Sequence, residues 1–177
     1  SDWSSDVCSS DLTGLPKAAI ISHARWLITG DVMQITMDVQ KEDCFYCFLP
    51  LYHGAASLSA GATAFASGAS LLLRRKFSRS EFWSDVRQHQ VSICQYVGEI
   101  CRFLLTVPPK PNDKEHSLRK MVGAGLAPEV WEQWVQRFGD FEIFEGWGAT
   151  ESNTNTINST VESDDTIVMA KAEHGPN

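Results

Sequence analysis

Four short segments of the chain combine small, hydroxylic and charged residues in patterns that could bind a phosphorylated ligand. In the first, Thr13-Gly14-Leu15-Pro16-Lys17, a flexible glycine lies beside a hydroxyl and an ammonium, which together with backbone amides can surround phosphate oxygens. On these residues alone, a Gly-Pro turn with a surface lysine is the better interpretation. The segment also lacks the Walker form, which needs Gly-Lys-Ser/Thr at the start of a helix.

Two further segments come where an apolar strand is predicted to end. The segment from Leu49 to Gly54 contains His53, which could contact a substrate carboxylate or phosphate and could equally be a structural histidine. The segment 122–128 is a Gly-rich turn whose lack of side chains would let a flat ligand approach the backbone. Close packing of a helix on a strand explains this turn slightly better.

The fourth segment, Gly146-Trp147-Gly148-Ala149-Thr150-Glu151, also follows an apolar run. Its aromatic face, hydroxyl and carboxylate could stack on a base, hold a phosphate and ligate magnesium, which prefers oxygen ligands. A tight turn with an exposed glutamate is the plain alternative. The sequence has no Gly-x-Ser-x-Gly elbow, zinc-spaced His/Cys set or dinucleotide fingerprint that would compete for the site.

Alternating strands and helices are predicted to position these segments. After Lys17, short apolar runs alternate with longer amphipathic ones, which indicates an α/β fold around a mostly parallel sheet. The predicted strands are Ala18 to Ile21, Cys44 to Leu49, Ala69 to Leu73, Val91 to Tyr96, Lys120 to Gly123 and Phe141 to Glu145. The predicted helices run from a Ser22 cap through Val39, from a Ser78 or Ser80 cap through His89, and from Pro128 to Phe138, with a surface loop at 107–117.

The uncharged stretch 54–73 has the length of a membrane span and is followed by three basic residues. Its glycines and serines favour instead a buried helix that ends near Ser67-Gly68, followed by a buried strand.

Composition places the chain among soluble globular proteins and excludes several classes of function. It has 177 residues, of which 43% are hydrophobic, and a net charge of −7, so the basic surface of a nucleic-acid-binding protein is absent. An odd number of cysteines without an apolar leader indicates reduced thiols in the cytoplasm. The Cys44–Cys47 pair lies in a predicted buried strand, which disfavours a redox role.

The two ends of the chain differ from its middle. Residues 1–12 contain near-repeated Ser-Asp-hydrophobic triplets and resemble a translated sequencing adapter, so we treat them as an artefact and exclude them from the fold. Residues 159–177 are polar, acidic and poorly patterned, and we interpret them as either a loop or a junction error. The domain is therefore expected at 13–158.

In their order and spacing, the four segments resemble the adenylate-forming (AMP-binding) superfamily of acyl-CoA synthetases, non-ribosomal adenylation domains and luciferases. Residues 13–17 are similar to the second half of the family's phosphate loop, 50–54 to its proline-aromatic-His motif, and 146–151 to its aromatic-Gly-x-Thr-Glu motif. Residues 95–105 look most like the fatty-acid transport protein and very-long-chain acyl-CoA synthetase branch. The resemblance covers 13–158 and implies part of the large N-terminal domain of such an enzyme.

The resemblance implies an ATP-dependent ligase that joins a long-chain fatty acid to CoA through acyl-AMP, with Mg²⁺ as the metal and peripheral membrane association of the full-length protein. It implies catalytic roles for Lys17, Thr150 and Glu151, the last as the magnesium ligand. The nucleotide site would consist of Thr13, Gly14 and Lys17 around the phosphates, Gly123, Ala124 and Gly125 along the adenine, Trp147 stacked on it, and Gly148 and Thr150. The acyl pocket would be bordered by His53, Tyr96, Val97 and Gly98.

Two departures from the family pattern set an expectation for this chain by itself. Asp11 and Leu12 stand where the family has Gly and Thr, and a carboxylate there would repel a triphosphate by several kcal/mol if poorly screened. The family's ribose-binding Asp segment, hinge and C-terminal domain with its catalytic lysine would all lie beyond Asn177. We therefore expect an internal fragment that is inactive alone.

Two other functions remain open from the sequence. A non-catalytic module that binds an acyl group or a nucleotide would be favoured if Asp11 and Leu12 are genuine. The same chemistry on another acid, such as an aryl acid, carnitine or an amino acid, would need a substrate panel to distinguish it.

Overall fold

The computed structural model describes residues 19–148 and 155–159, in which helices and strands alternate. The strands are β1 (Cys44–Cys47), β2 (Ser70–Leu73), β3 (Ile93–Val97), β4 (Lys120–Ala124), β5 (Glu142–Gly148) and β6 (Asn155–Ser159). The helices are α1 (His23–Thr36), α2 (Ala62–Ser67), α3 (Phe82–Gln88), α4 (Gly98–Leu105) and α5 (Pro128–Phe138), with a π-helical segment, Ala55–Gly61, leading directly into α2. The predicted artefact at 1–12 and the uncertain segment after Ser159 lie outside the described residues.

The described strands form one sheet in the order β2-β1-β3-β4-β5-β6. The first five run parallel to one another, and β6 pairs antiparallel with β5. This confirms the predicted α/β fold around a mostly parallel sheet. Strands β1 and β3 are almost entirely buried, as expected for parallel strands covered on both faces.

The direction of strand addition reverses between β1 and β3. The chain passes from β1 to β2 on one side, then returns and adds β3, β4 and β5 on the other. Because parallel crossovers are almost always right-handed, this reversal places α2 on one face of the sheet and α3 to α5 on the other. The packing agrees, since α1 contacts α2 while Trp83 of α3 lies 5.9 Å from Trp134 of α5 between ring centroids.

Local signals in the sequence explain where several elements begin and end. The Ser22 hydroxyl caps α1 by accepting a hydrogen bond from the Arg25 amide at 3.1 Å. Helix α2 ends at Gly68, whose φ of +72° suits glycine. Helix α5 has the predicted bounds, with Pro128 in its first turn, and buries Val130, Trp134 and Phe138.

Three predictions about elements need correction. Of the strand predicted at Ala18 to Ile21, residues 19–21 are irregular backbone before the Ser22 cap of α1, and Ala18 lies outside the described residues. Helix α3 starts at Phe82 without a side-chain cap, because Ser78 contributes only its carbonyl to the amide of Phe82. Helix α4 and strand β6 were not predicted at all, since the first is only eight residues long and the second has little apolar character.

The strand predicted to be buried at 69–73 also needs correction, because β2 lies at the edge of the described sheet, where Ser70 and Leu73 are exposed and Leu71 and Leu72 are half-buried. The remaining predictions about local structure are confirmed. The stretch 54–73 forms the π-helical segment, α2 and β2, and no helix within the described ranges is both long and apolar enough to cross a membrane. Residues 107–117 form an irregular connection with turns. Cys44 and Cys47 lie within β1 as free thiols, as do Cys94 and Cys101 in β3 and α4, whereas Cys8 lies outside the described residues.

Candidate functional site

The carboxyl edge of the parallel sheet gathers the predicted site residues that the structure describes. Strand β3 ends with Tyr96 and Val97, β4 with Gly123 and Ala124, and β5 with Gly148. Gly98 begins α4, Gly125 lies in the turn before α5, and His53 follows β1. In open α/β sheets this edge is where ligands bind, especially where the strand order reverses, which here is between β1 and β3.

Several predicted site residues cannot be placed by the structure. Thr13, Gly14, Lys17, Thr150 and Glu151 lie outside the described residues. The backbone of Trp147 belongs to β5, where it pairs with Thr156.

Three residues form a row across the adjacent strands β3, β4 and β5. Tyr96 is in register with Gly123, and Gly123 is in register with Glu145. The buried Tyr96 side chain spans the middle strand and donates its hydroxyl hydrogen to Oε2 of Glu145. The middle residue must be small, because a Cβ on Gly123 would lie 2.8 Å from Cγ of Tyr96.

The other carboxylate oxygen of Glu145 holds the Gly-rich turn between β4 and α5. Its Oε1 accepts hydrogen bonds from the backbone N–H groups of Gly125 and Leu126, the latter at 3.1 Å. Gly125 has a φ of +80°, a left-handed conformation that favours glycine. Both carboxylate oxygens of Glu145 are thus engaged by neighbouring elements.

The start of α4 packs directly against this turn. A Cβ on Gly98 would overlap the carbonyl oxygen of Gly125 and lie 3.1 Å from the Leu126 nitrogen. The packing of α4 against the turn therefore requires a bare α-carbon at Gly98. Close packing thus accounts for Gly98 and Gly123, while Ala124 and Gly125 remain exposed.

His53 occupies the turn between β1 and the π-helical segment. Its ring Nδ1 accepts a hydrogen bond from the Ala55 N–H at 3.1 Å, and its backbone N–H donates to the Pro50 carbonyl at 2.8 Å. The ring is half-buried, and burial lowers its pKa below the usual value. His53 therefore has a structural role in this turn and favours the neutral ring at pH 7.

Burial also shapes the ionisation of the groups next to the Gly-rich turn. The pKa of Tyr96 is raised well above its usual value by burial and by the hydrogen bond to the Glu145 carboxylate. The pKa of Cys101 is raised by burial and by the negative charge of Glu145. Tyr96 is thus a neutral hydrogen-bond donor, and Cys101 is a protonated thiol without nucleophilic character.

The arrangement can receive a flat ligand against backbone rather than grip it with charged side chains. Ala124, Gly125 and Gly148 are exposed and have at most a methyl group, while the Glu145 carboxylate is occupied by its neighbours. Residues 19–148 and 155–159 contain no group of three His, Cys, Asp or Glu side chains that could hold a metal ion. The described part of the edge therefore offers exposed backbone to a flat ring.

A shallow depression lies elsewhere, among Arg87, Gln90, Glu115, His116 and Ser117. These residues come before β3 and β4, at the amino end of the strands, and none of them was predicted as a site residue.

Sequence reasoning missed Glu145 as a member of the site. The signal was present, because Glu145 is the carboxylate with which the predicted strand Phe141 to Glu145 ends, at the ligand-binding edge of the sheet. Its partners could not be found from sequence, since they lie on β3 and in the β4–α5 turn, 49 and 20 residues away.

The fold is an α/β domain with an open carboxyl edge, the kind of edge at which such domains bind ligands, and comparison with known proteins identifies the family. The AMP-binding enzyme family matches residues 10–172, so the chain belongs to that family. This confirms the resemblance stated from the motifs.

The chain is similar to long-chain fatty acid transport protein 3 of Homo sapiens, with 44% identity over 154 residues. That match covers 87% of this chain but only 22% of the relative, so the chain spans about a fifth of the relative's length.

Solved structures share the fold. The N-terminal domain of FACL13 from Mycobacterium tuberculosis, in an inhibitor-bound crystal, aligns with a TM-score of 0.68 at 21% identity, over 84% of this chain and 38% of that one. The O-succinylbenzoate coenzyme A synthetase MenE from Bacillus subtilis, in complex with ATP and magnesium, aligns with a TM-score of 0.66 at 25% identity, over 78% of this chain and 28% of that one. The predicted fold class, part of the large N-terminal domain of an adenylate-forming enzyme, is confirmed.

Proposed function

We propose that the chain is a segment of an ATP-dependent ligase that converts a long-chain fatty acid to its CoA thioester. In the first step a fatty carboxylate oxygen attacks the α-phosphorus of ATP, and pyrophosphate leaves. In the second, the CoA thiol attacks the acyl carbon and AMP leaves. Neither step needs a protein nucleophile, so positioning and charge neutralisation are the main demands on the protein.

The observation that carries this proposal is the bare backbone at the carboxyl edge of the sheet. Ala124 and Gly125 are exposed beside the end of β5, at the edge where α/β proteins bind ligands, in a chain that belongs to the AMP-binding family. A ring laid against this turn would meet backbone atoms rather than side chains. The proposed residues of the adenine side are Gly123, Ala124, Gly125, Trp147 and Gly148.

The residues proposed to bind the phosphates and the metal lie outside the described part of the chain. Thr13, Gly14 and Lys17 would surround the phosphates, Thr150 would contact one of them, and Glu151 would hold Mg²⁺, which neutralises charge when bound. The oxygen-rich chemistry of Glu151 and Thr150 suits this metal. ATP binding by MenE, with magnesium present, supports this part of the proposal by analogy of fold and family.

A long-chain fatty acid is proposed as the substrate because the chain is similar to long-chain fatty acid transport protein 3, a relative named for that class of compound. His53, Val97 and Gly98 lie at the reversal point between β1 and β3 and would border the acyl pocket. Tyr96 would support the wall of this pocket without contacting the fatty acid, because its side chain is buried and hydrogen-bonded to Glu145. CoA as the acceptor, a cytoplasmic location and peripheral membrane association belong to the same proposal.

The experiment uses the complete product of the source gene, whose sequence across both ends of this segment is determined first. With Mg²⁺ and ATP, we expect AMP and pyrophosphate to form only when a long-chain fatty acid is added, and acyl-CoA to form when CoA is also present. A Thr150→Ala variant should lose most of this activity, whereas Thr106→Ala, at the far end of α4, should retain it. If the protein turns over only short, aryl or amino acids, a long-chain fatty acid is not its substrate.

The same experiment tests the alternative of a non-catalytic module. Asp11 and Leu12 favour that alternative if they are genuine, because a carboxylate there would repel the triphosphate. If the gene encodes Gly and Thr at these positions, 1–12 are an artefact and the phosphate loop follows the family pattern. AMP binding without turnover by a complete protein that retains Asp11 would support the binding module instead.

A further inference from the structure

One carboxylate joins three elements at the edge where the nucleotide is proposed to bind. Glu145 lies on β5, accepts the Tyr96 hydroxyl hydrogen from β3, and accepts two backbone N–H groups from the turn between β4 and α5. We propose that Glu145 is the positioning residue of the nucleotide site, which fixes the Gly-rich turn 123–126 in the conformation that receives the flat face of an adenine ring. This inference rests on the proposed function and adds a residue to it.

The turn needs an external restraint because its own residues supply little. Glycine has the largest conformational freedom of any residue, and ordering a backbone residue costs about 1–2 kcal/mol. Gly123 and Gly125 bracket the exposed Ala124, so large side chains anchor this turn only from Leu126 onward, whose side chain is buried in the core. Two N–H groups bonded to one charged oxygen are a strong restraint, because hydrogen bonds to ionised acceptors are roughly twice as strong as neutral ones.

The carboxylate is itself held in place. Tyr96 is only 2% exposed, and its ring crosses Gly123 to reach Oε2 of Glu145. Glu145 therefore has one oxygen fixed by β3 and the other directed at the turn. The backbone of Gly98, at the start of α4, also lies directly against the turn. Glu145 acts through the turn, and its role is to place backbone atoms rather than to contact phosphate.

The first test measures the turn without any ligand. In the complete gene product without nucleotide, hydrogen exchange at the Gly125 and Leu126 amides is compared among the wild type, Glu145→Ala, Glu145→Gln and Tyr96→Phe. Glu142→Gln is the matched control, since Glu142 lies on the same strand but contacts Lys120, at 3.4 Å. We expect the two amides to exchange about tenfold or more faster in Glu145→Ala, which corresponds to a loss of about 1.4 kcal/mol or more in the free energy that protects them. Glu145→Gln should recover most of the protection, because its amide oxygen can still accept both N–H groups.

The second test measures the consequence for the nucleotide in the complete gene product. AMP affinity is measured by calorimetry, and KM is measured separately for ATP and for the fatty acid. We expect Glu145→Ala to weaken AMP binding and raise the KM for ATP about tenfold, since small misplacements of binding groups cost this much or more. The KM for the fatty acid should stay near the wild-type value, and Glu145→Gln should restore ATP binding, which a general loss of folding would not permit.

Each result decides a separate point. Unchanged exchange at Gly125 and Leu126 in Glu145→Ala overturns the positioning role, whatever the nucleotide data show. Faster exchange with unchanged AMP affinity in a protein that binds AMP overturns the link between the turn and the nucleotide. A wild-type complete protein that binds no adenine nucleotide overturns the proposed function, and the inference about the nucleotide with it, while the exchange data still show whether Glu145 holds the turn.

Discussion

Tyr46 on β1 donates its hydroxyl hydrogen to the Asp85 carboxylate on α3, at 2.6 Å between oxygens. The same carboxylate accepts hydrogen bonds from Arg74, which follows β2, including one from Nε at 2.7 Å. Burial alone would raise the pKa of Asp85, but these hydrogen bonds outweigh burial and hold its pKa below the usual value. One buried carboxylate thus ties α3 to both strands at the β2–β1 side of the sheet.

Replacing Asp85 with Asn should destabilise the fold more than a surface change of the same kind. The variant removes the charge that Arg74 and Tyr46 face, and we expect the free energy of unfolding to fall by about 1–3 kcal/mol. Urea denaturation of the chain measures this. Asp140→Asn, in the exposed connection between α5 and β5, is the control and should change stability by less than about 0.5 kcal/mol. Equal losses in the two variants would contradict the account of Asp85.

Stability should decline at alkaline pH because of buried phenols and thiols. Burial raises the pKa of Tyr46, Tyr96, Cys94 and Cys101 in the folded chain. Unfolded cysteine and tyrosine lose protons near pH 8.5 and 10, so above about pH 8.5 the unfolded state binds fewer protons and the free energy of unfolding falls. Urea denaturation between pH 7 and pH 10.5 measures the slope, which Tyr46→Phe should reduce near pH 10. A profile that is flat, or rises, over this range would contradict the burial of these groups.

Gly98 should not tolerate a methyl group. In Gly98→Ala the new Cβ would overlap the Gly125 carbonyl, and we expect a loss of about 1–3 kcal/mol in the free energy of unfolding, as is typical of overpacked sites. Gly61→Ala is the control, because that helical glycine would place its Cβ 3.2 Å from one carbonyl oxygen, with no positive φ. Its effect should be under about 1 kcal/mol, since alanine is the better helix former. A Gly98→Ala variant as stable as the control would show that α4 does not pack against the Gly125 turn.

The His53 ring should titrate below its usual range. Burial lowers its pKa, and the Nδ1 that would be protonated accepts the Ala55 amide hydrogen in the folded chain. Stability linked to the neutral ring is therefore fully present above about pH 6.5 and is lost as pH falls through the folded-state pKa. Proton NMR of the ring gives the midpoint in the folded chain, with the same chain in urea as the reference. A folded midpoint at or above that of the unfolded chain would contradict the buried, hydrogen-bonded ring.

The sequence was sufficient to predict the α/β fold class and most of its elements, because the signals that mark those elements are local. Helix α5 could be delimited from Pro128, Gly139 and one apolar face, and the strands from short apolar runs. The strand predicted at 18–21 was wrong. Ile20 and Ile21 are apolar, but the described part of the sheet has no partner strand for them, and Ile20 is 94% exposed. A strand depends on its neighbours as well as its own residues.

The site was only partly predictable for the same reason. The Gly-rich turn and its place at the carboxyl edge follow from the pattern of residues around Gly123. The contacts that shape the turn do not, because Tyr96, Glu145 and Gly98 reach it from three other elements. Contacts of this kind depend on strand order and register, which the sequence pattern leaves undetermined.

The central claim is that the carboxyl edge of this sheet binds the adenine nucleotide of an adenylate-forming ligase. Hydrogen exchange of the complete gene product, measured with and without AMP, tests it most directly. We predict that AMP slows exchange in peptides that cover 123–126 and 146–148, and leaves peptides around 87–90 and 115–117, at the opposite end of the strands, unchanged. AMP binding that protects the opposite end, or leaves 123–126 and 146–148 unaffected, would contradict the account.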